Sequence, residues 1–281
     1  MLIEEKALTH WIENFYGYGS WHAKMWFVSY EENGGENPEE VSEKLDYFYK
    51  AHEPHGEGIL CDIREAYKGV SMWMEGPKAG LFNNRYEYRF GTHAIQNTVW
   101  RNLIAFEHGW RNETLPEVLP YQQRSFALPS ARREALIRLY PLPSPHTHSW
   151  YYSWLDLPIR FLKSRAQYEQ QVYQRRMHTI ISNMTKYKPE LLLMYGMNNI
   201  NAIKSSIQGA FPAAKFRMIK AALTRSGGGR IPQHHRADLG ATTVLITTQI
   251  PALRHHRIET GFDWEEFGRR VASQGTLNRR A

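Results

Sequence analysis

The chain has 281 residues, 42% of them hydrophobic, and a formal net charge of +7, enough to bury a large core in one domain. Its single cysteine, Cys61, excludes an intramolecular disulfide framework and any four-cysteine zinc or iron–sulfur cage within one chain. No apolar run is long enough to span a bilayer and residues 1–20 lack a signal-peptide core, so the expectation is a soluble, cytoplasmic protein without a membrane partner.

Residues 3–15 read as a short amphipathic helix, with Leu8, Trp11, Ile12 and Phe15 on one face. The run Lys24–Tyr30 is a buried strand stopped by Glu31-Glu32-Asn33 and the pair Gly34-Gly35, which allows close backbone approach or positive φ. Asn37 and Pro38, followed by acids, start a helix reaching about Tyr49. Residues 51–91 read as an irregular, aromatic-rich insertion punctuated by glycines, and Thr92–Phe106 as a helix. Ala135–Leu142 is a second strand, ended by the prolines 141, 143 and 145. Pro158 to about Tyr187 is a long helix, Pro189–Gly196 a third strand, Met197–Gln208 a helix, Thr242–Thr248 a fourth strand and Phe262–Ala272 a closing helix. The run Gly227–Gly229 reads as a loop, with a phosphate-binding nest as the alternative. Strands separated by helices predict one α/β domain over residues 1–281, a three-layer α/β/α fold on a mainly parallel four-stranded central sheet.

Charge is divided along the chain. Residues 1–65 carry 5 Lys/Arg against 14 Asp/Glu, residues 66–210 carry 18 against 9, and residues 211–281 carry 12 against 5. An acidic first quarter before a basic, aromatic-rich remainder points to a polyanion partner met by one face, where phosphate contact and base stacking combine. Tryptophans 73, 100, 110, 150 and 154 divide between core and groove, and Trp150, Tyr151 and Tyr152 form the best stacking group. His146 and His148 follow a strand end, a position that can face the polyanion. The pairs His234-His235 and His255-His256 have no acid or cysteine at metal-ligand spacing, so no metal is expected. No Gly-x-x-x-x-Gly-Lys phosphate loop is present either, and no cofactor is expected.

Four strand ends supply loops to one rim, the rim where open α/β sheets bind ligands. On it, Ser29-Tyr-Glu-Glu-Asn-Gly34, Leu139-Tyr-Pro-Leu-Pro-Ser144 and Thr248-Gln-Ile-Pro-Ala-Leu-Arg-His-His256 stand in an order that resembles the uracil-DNA glycosylase superfamily across roughly residues 20–270. The resemblance implies a catalytic acid or amide at the first strand's end, a pyrimidine-reading segment at the second's and a DNA-wedging loop after the last. It implies that Glu31, with Glu32 as second candidate, stabilises the oxocarbenium-like sugar and orients or deprotonates water, and that Asn33 helps hold that water. Gln249, or His255 or His256, stabilises the departing base. Gly34, Gly35, Leu142, Pro143, Ser144, His146, His148 and Trp150 fall to the pocket and DNA surface, with Leu253 as wedge and Arg254 as phosphate anchor.

The sequence also departs from the family. The usual proline after the catalytic position is missing, two adjacent acids compete for one role, and Gln249 stands where a histidine is typical. Cys61, standing alone, rules out the iron–sulfur branch, and residues 31–135 are an enlarged connection between the first two strands. The implied branch resembles glycosylases of bacterial antiviral defence that act on modified, even glucosylated or hydroxymethylated, cytosines of phage DNA. The expected partner is double-stranded DNA with modified bases, bound by a monomer. The alternative is a non-catalytic nucleic-acid-binding or regulatory protein on the same fold, for which acids on a phosphate-facing rim have no purpose.

Overall fold

A computed structural model of the chain describes residues 3–32, 34–35, 37–72, 80–145, 149–224, 229–252 and 261–278. It begins with α1 (Glu5–Asn14), which runs directly into the short strand β1 (Phe15–Tyr18), then β2 (Met25–Glu31) and α2 (Pro38–Ala51). The segment that reads as irregular holds β3 (Ile59–Cys61), α3 (Ile63–Lys68) and α4 (Arg85–Phe90). After it come α5 (Thr98–Arg111), α6 (Val118–Arg124) and β4 (Glu134–Tyr140). Two 3-10 turns, Tyr151–Trp154 and Arg160–Lys163, lead into α7 (Arg165–Tyr187), β5 (Leu191–Tyr195) and α8 (Ile200–Ala210). The chain closes with β6 (Arg217–Ile219), β7 (Ala222–Leu223), β8 (Arg230–Ile231), β9 (His234–Leu239), β10 (Thr242–Ile246) and α9 (Trp264–Asn278). No helix among the described residues is long and apolar enough to cross a membrane.

The expected α/β architecture is present, on a larger sheet than expected. Eight strands run in the order β3-β1-β4-β2-β5-β10-β9-β6, and β7 pairs with β8 apart from them. The four strands expected from sequence form the centre, where β4-β2, β2-β5 and β5-β10 are all parallel. Antiparallel neighbours extend both sides, β1 on β4 and β9 on β10. Two features hid these additions. The four residues of β1 follow α1 with no breaker between them. In β9 the strand alternation is broken by Arg236, which is buried because Asp238 and the carbonyl of Val271 (2.7 Å) accept its protons.

The central strands are fully buried because helices flank the sheet, and this is why they read as continuous apolar runs. Met25, Trp26, Phe27 and Val28 have no exposed surface. One buried cluster extends from Ile3 to Val271. Within it α5 and α9 pack so closely that a Cβ on Gly268 would stand 2.1 Å from the carbonyl oxygen of Phe106. On α7, the buried Arg176 donates to the carbonyls of Phe15 (2.7 Å), Arg138 (2.6 Å) and Leu139 (3.1 Å), joining the helix to β1 and β4. Asn37 caps α2 as predicted, accepting from the N–H groups of Glu39 and Glu40. Helix α5 begins six residues later than expected, because Asn97 caps it through the N–H groups of Val99 and Trp100.

The region before α5 is held by side chains rather than by regular pairing. Gln122 on α6 is fully buried; its amide donates to the carbonyls of Arg89 (2.7 Å) and Ile95 (3.3 Å) and accepts from Asn97 N–H (2.8 Å). Arg64 donates to the carbonyls of Gln122 and Gln123. These bonds fix α4 and the start of α5 beside the ends of β2 and β4.

Candidate functional site

Glu31 closes β2 and Glu32 follows it, and the two engage different helices. Glu32 is 1% exposed. Its carboxylate accepts from the Tyr18 hydroxyl at 2.8 Å, from Lys44 Nζ at 2.5 Å and from Arg138 Nε. Strand β1 thus supplies Tyr18, α2 supplies Lys44 and β4 supplies Arg138. Burial alone raises the pKa of Glu32, but Lys44 and Arg138 outweigh it and bring the value to about 2. Glu32 is therefore a fixed carboxylate at any physiological pH. Burial, followed by the charge of Glu32, pushes the Tyr18 hydroxyl well up, so that it stays a donor.

Glu31 instead meets Arg165 at the start of α7, at 2.5 Å. The same guanidinium donates to Ser144 Oγ (2.5 Å) and to the carbonyl of Ser149 (3.2 Å), and lies 5.1 Å from the Trp150 ring. This arrangement staples the end of β2 to the loop after β4 and to the turn beyond it. Glu31 belongs to the staple.

A cleft of about 70 Å³, open to solvent, lies beside Glu32 at the C-terminal ends of β2 and β4. Gly34, Gly35 and Pro143 form one lip. Gly35 has φ of +94°, and a Cβ there would come within 3.0 Å of the Pro143 carbonyl carbon, so only glycine lets these two loops meet without strain. Tyr67 and Trp100 supply aromatic wall. The charged lining comprises Lys44, Arg85, Arg89 and Arg138 against Glu32 and Glu40. Glu40 is occupied by Arg85. Arg89 donates to the Ile95 carbonyl at 3.1 Å and stacks 4.3 Å from the Tyr88 ring; among the described residues no carboxylate lies within ion-pair distance of it. The four lining cations outnumber the two carboxylates, which hold Lys44, Arg138 and Arg85 and leave Arg89 as the excess positive charge among the described residues. Such a lining favours an occupant that carries or develops negative charge.

Metal chemistry finds little footing. Among the described residues, only Glu107, His108 and Glu113 bring acids and a histidine close enough for a cation. Arg133 donates to both carboxylates, at 2.7 and 2.8 Å, and Arg111 to Glu107 at 2.5 Å, so guanidinium groups already fill that position.

Several residues expected at the site lie elsewhere. Leu142 is buried, its N–H donating to the Tyr168 hydroxyl, and belongs to the core. Ser144 serves the Arg165 staple. Trp150 donates to the Leu162 carbonyl at 2.8 Å and packs on Tyr152 and Tyr168, so it supports the turn rather than offering a stacking face. Gln249 follows β10; its amide donates to Thr248 Oγ1, its carbonyl accepts from Gly196 N–H, and it does not line the cleft. Asn33, His146, His148, Leu253, Arg254, His255 and His256 lie outside the described residues, as do Trp73, Gly227 and Gly228.

Sequence reasoning missed Tyr18, Lys44, Arg85, Arg89, Asn97 and Arg138. Two of them carried a signal. Arg138 interrupts an otherwise apolar strand, Ala-Leu-Ile-Arg-Leu-Tyr, and Lys44 falls on the face of α2 that buries Val41, Leu45 and Phe48. A cation inside an apolar pattern needs a buried anion, and Glu32 is that anion. No protein-family model matches the chain, and comparison with curated proteins finds no match.

Proposed function

We propose that this chain is a DNA glycosylase that hydrolyses the N-glycosidic bond of a flipped, modified pyrimidine, leaving an abasic site. One observation carries the reading: a cleft whose lining carries excess positive charge opens beside an ionised carboxylate, at the C-terminal ends of two adjacent parallel strands. This is the rim at which open α/β sheets bind ligands. The four parallel strands at the centre of the sheet support a uracil-DNA glycosylase-like core carrying antiparallel extensions.

The chemistry follows from the charges. When water attacks C1′, the glycosidic electron pair leaves with the base, and positive charge develops on the sugar. The departing base becomes anionic, facing Arg89, while Lys44, Arg138 and Arg85 are held in place by Glu32 and Glu40. Glu32, with its pKa near 2, is too weak a base to keep the water's proton, so it acts by its field on the sugar and the proton passes to solvent. Glu32 rather than Glu31 is then the acid of the chemical step, since Glu31 is absent from the cleft lining.

The test is to incubate the protein with DNAs bearing different modified pyrimidines and to assay abasic sites. Strand scission after alkali on at least one modified DNA, absent from unmodified DNA, is the expected result. DNA binding without scission on any of them would favour the non-catalytic alternative.

A further inference from the structure

We propose that Trp154 is a stacking platform for an unpaired nucleobase. The indole is 87% exposed, the most exposed of the large hydrophobic side chains among the described residues. It is also held out by a rigid turn rather than a loose one. Within that turn the Ser153 hydroxyl donates to the Trp150 carbonyl at 2.9 Å and the Leu155 N–H to the Tyr152 carbonyl at 3.3 Å. Trp150 Nε1 ties it to the following turn through the Leu162 carbonyl at 2.8 Å. Tyr152, 1% exposed, stacks on Tyr151 at 4.4 Å and donates to the Pro143 carbonyl at 2.8 Å.

Pro143 is a lip of the cleft, so Trp154 sits two residues from a direct anchor to that lip. No ring among the described residues lies against Trp154. The second turn adds exposed Arg160 and Lys163, against one exposed acid, Asp156. An exposed indole followed in the next turn by two exposed cations offers what a single-stranded nucleic acid requires, a π-face for the base and positive charge for the backbone. An unpaired base is the occupant proposed; an apolar protein surface would gain nothing from Arg160 and Lys163, and binding to phosphatidylserine vesicles in place of single-stranded DNA would overturn the assignment. A base platform here would hold a nucleotide unstacked near the cleft, and in that sense it rests on the reading of the cleft as a base pocket.

Binding of a fluorescein-labelled single-stranded DNA, measured by anisotropy across a salt series, tests this independently of excision. Trp154→Ala should weaken binding roughly 5- to 150-fold, as expected for a lost base–aromatic stack, without changing the salt slope. Trp154→Phe should retain most of the affinity, and the Arg160→Gln/Lys163→Gln double variant should flatten the salt slope instead. The exposed position means that none of these changes should alter the melting temperature. Wild-type affinity in Trp154→Ala, equal losses in Trp154→Ala and Trp154→Phe, or no affinity of the native chain for single-stranded DNA would each overturn the proposal. Wild-type binding by Trp154→Ala in a protein that still forms abasic sites would remove the platform and leave the glycosylase reading intact. Stacking without any excision would do the reverse.

Discussion

At the scale of single residues, the two neighbouring glutamates divide their work. Glu32 is desolvated, ionised and within the cleft, whereas Glu31 holds Arg165 and through it the loop after β4. Glu31→Gln should therefore slow excision only modestly, because the amide can still accept a hydrogen bond from Arg165. The environment of Glu32 also sets an acid limb of stability. Its folded pKa of about 2 lies below the ordinary 4.5, so the folded state favours the ionised form. That contribution is fully present above about pH 4.5 and is lost as pH falls toward 2. Denaturant unfolding of the wild type between pH 5 and 3 should show the loss, and Glu32→Gln should show less of it. Parallel acid profiles for the two proteins would mean that Glu32 is not the buried ion described here. The sequence placed two adjacent acids at this strand end and ranked Glu31 first. The burial of Glu32 was not legible, because its partners come from positions 18, 44 and 138, far apart along the chain.

At the scale of elements, close packing and burial make two predictions. Gly268→Ala would drive a methyl into the Phe106 carbonyl where α9 crosses α5. Separating those helices should cost about 1–3 kcal/mol, read as a lower denaturation midpoint with an unchanged m-value. The second concerns the start of β4, where Glu134 is buried and hydrogen-bonded to the Tyr121 hydroxyl. Burial, reinforced by the nearby Glu107 charge, raises the pKa of Glu134 to about 7. A raised carboxyl penalises only the folded state's charged form, so stability is lost as pH rises from about 4.5 through 7. Glu134→Gln, which keeps an acceptor for Tyr121, should melt higher than wild type at pH 8 and nearly with it at pH 5. A lower melting temperature at pH 8 would contradict that account. The elements themselves were unevenly legible. Continuous apolar runs revealed β2, β4, β5 and β10, and the Asn37-Pro38 pair gave the start of α2. Helices α3 and α4 have six residues each, too few for a helical period to show, and they are fixed by the distant contacts of Gln122 and Arg64.

At the scale of the whole molecule, the sequence specified the parallel centre of the sheet and left its edges unreadable. Short edge strands take their identity from the neighbour they pair with, as β1 does from β4 and β9 from β10. The charge division was readable from sequence, but its use was not, since two acids of the first quarter, Glu32 and Glu40, are buried against cations. Glu32 and Glu40 neutralise Lys44, Arg138 and Arg85. The basic remainder is then left to face a polyanion, and affinity for duplex DNA should fall about tenfold or more between 50 and 200 mM salt as released counterions lose their advantage. Affinity that stays flat over that range would exclude a phosphate-tracking surface. The central claim is that Glu32 acts on the transition state within the cleft, and single-turnover abasic-site formation tests it most directly. On a modified duplex that the wild type cuts, Glu32→Gln should slow the single-turnover rate about a hundredfold or more while binding that duplex at least as tightly. A Glu32→Gln variant that stays folded and excises at the wild-type rate would contradict the account.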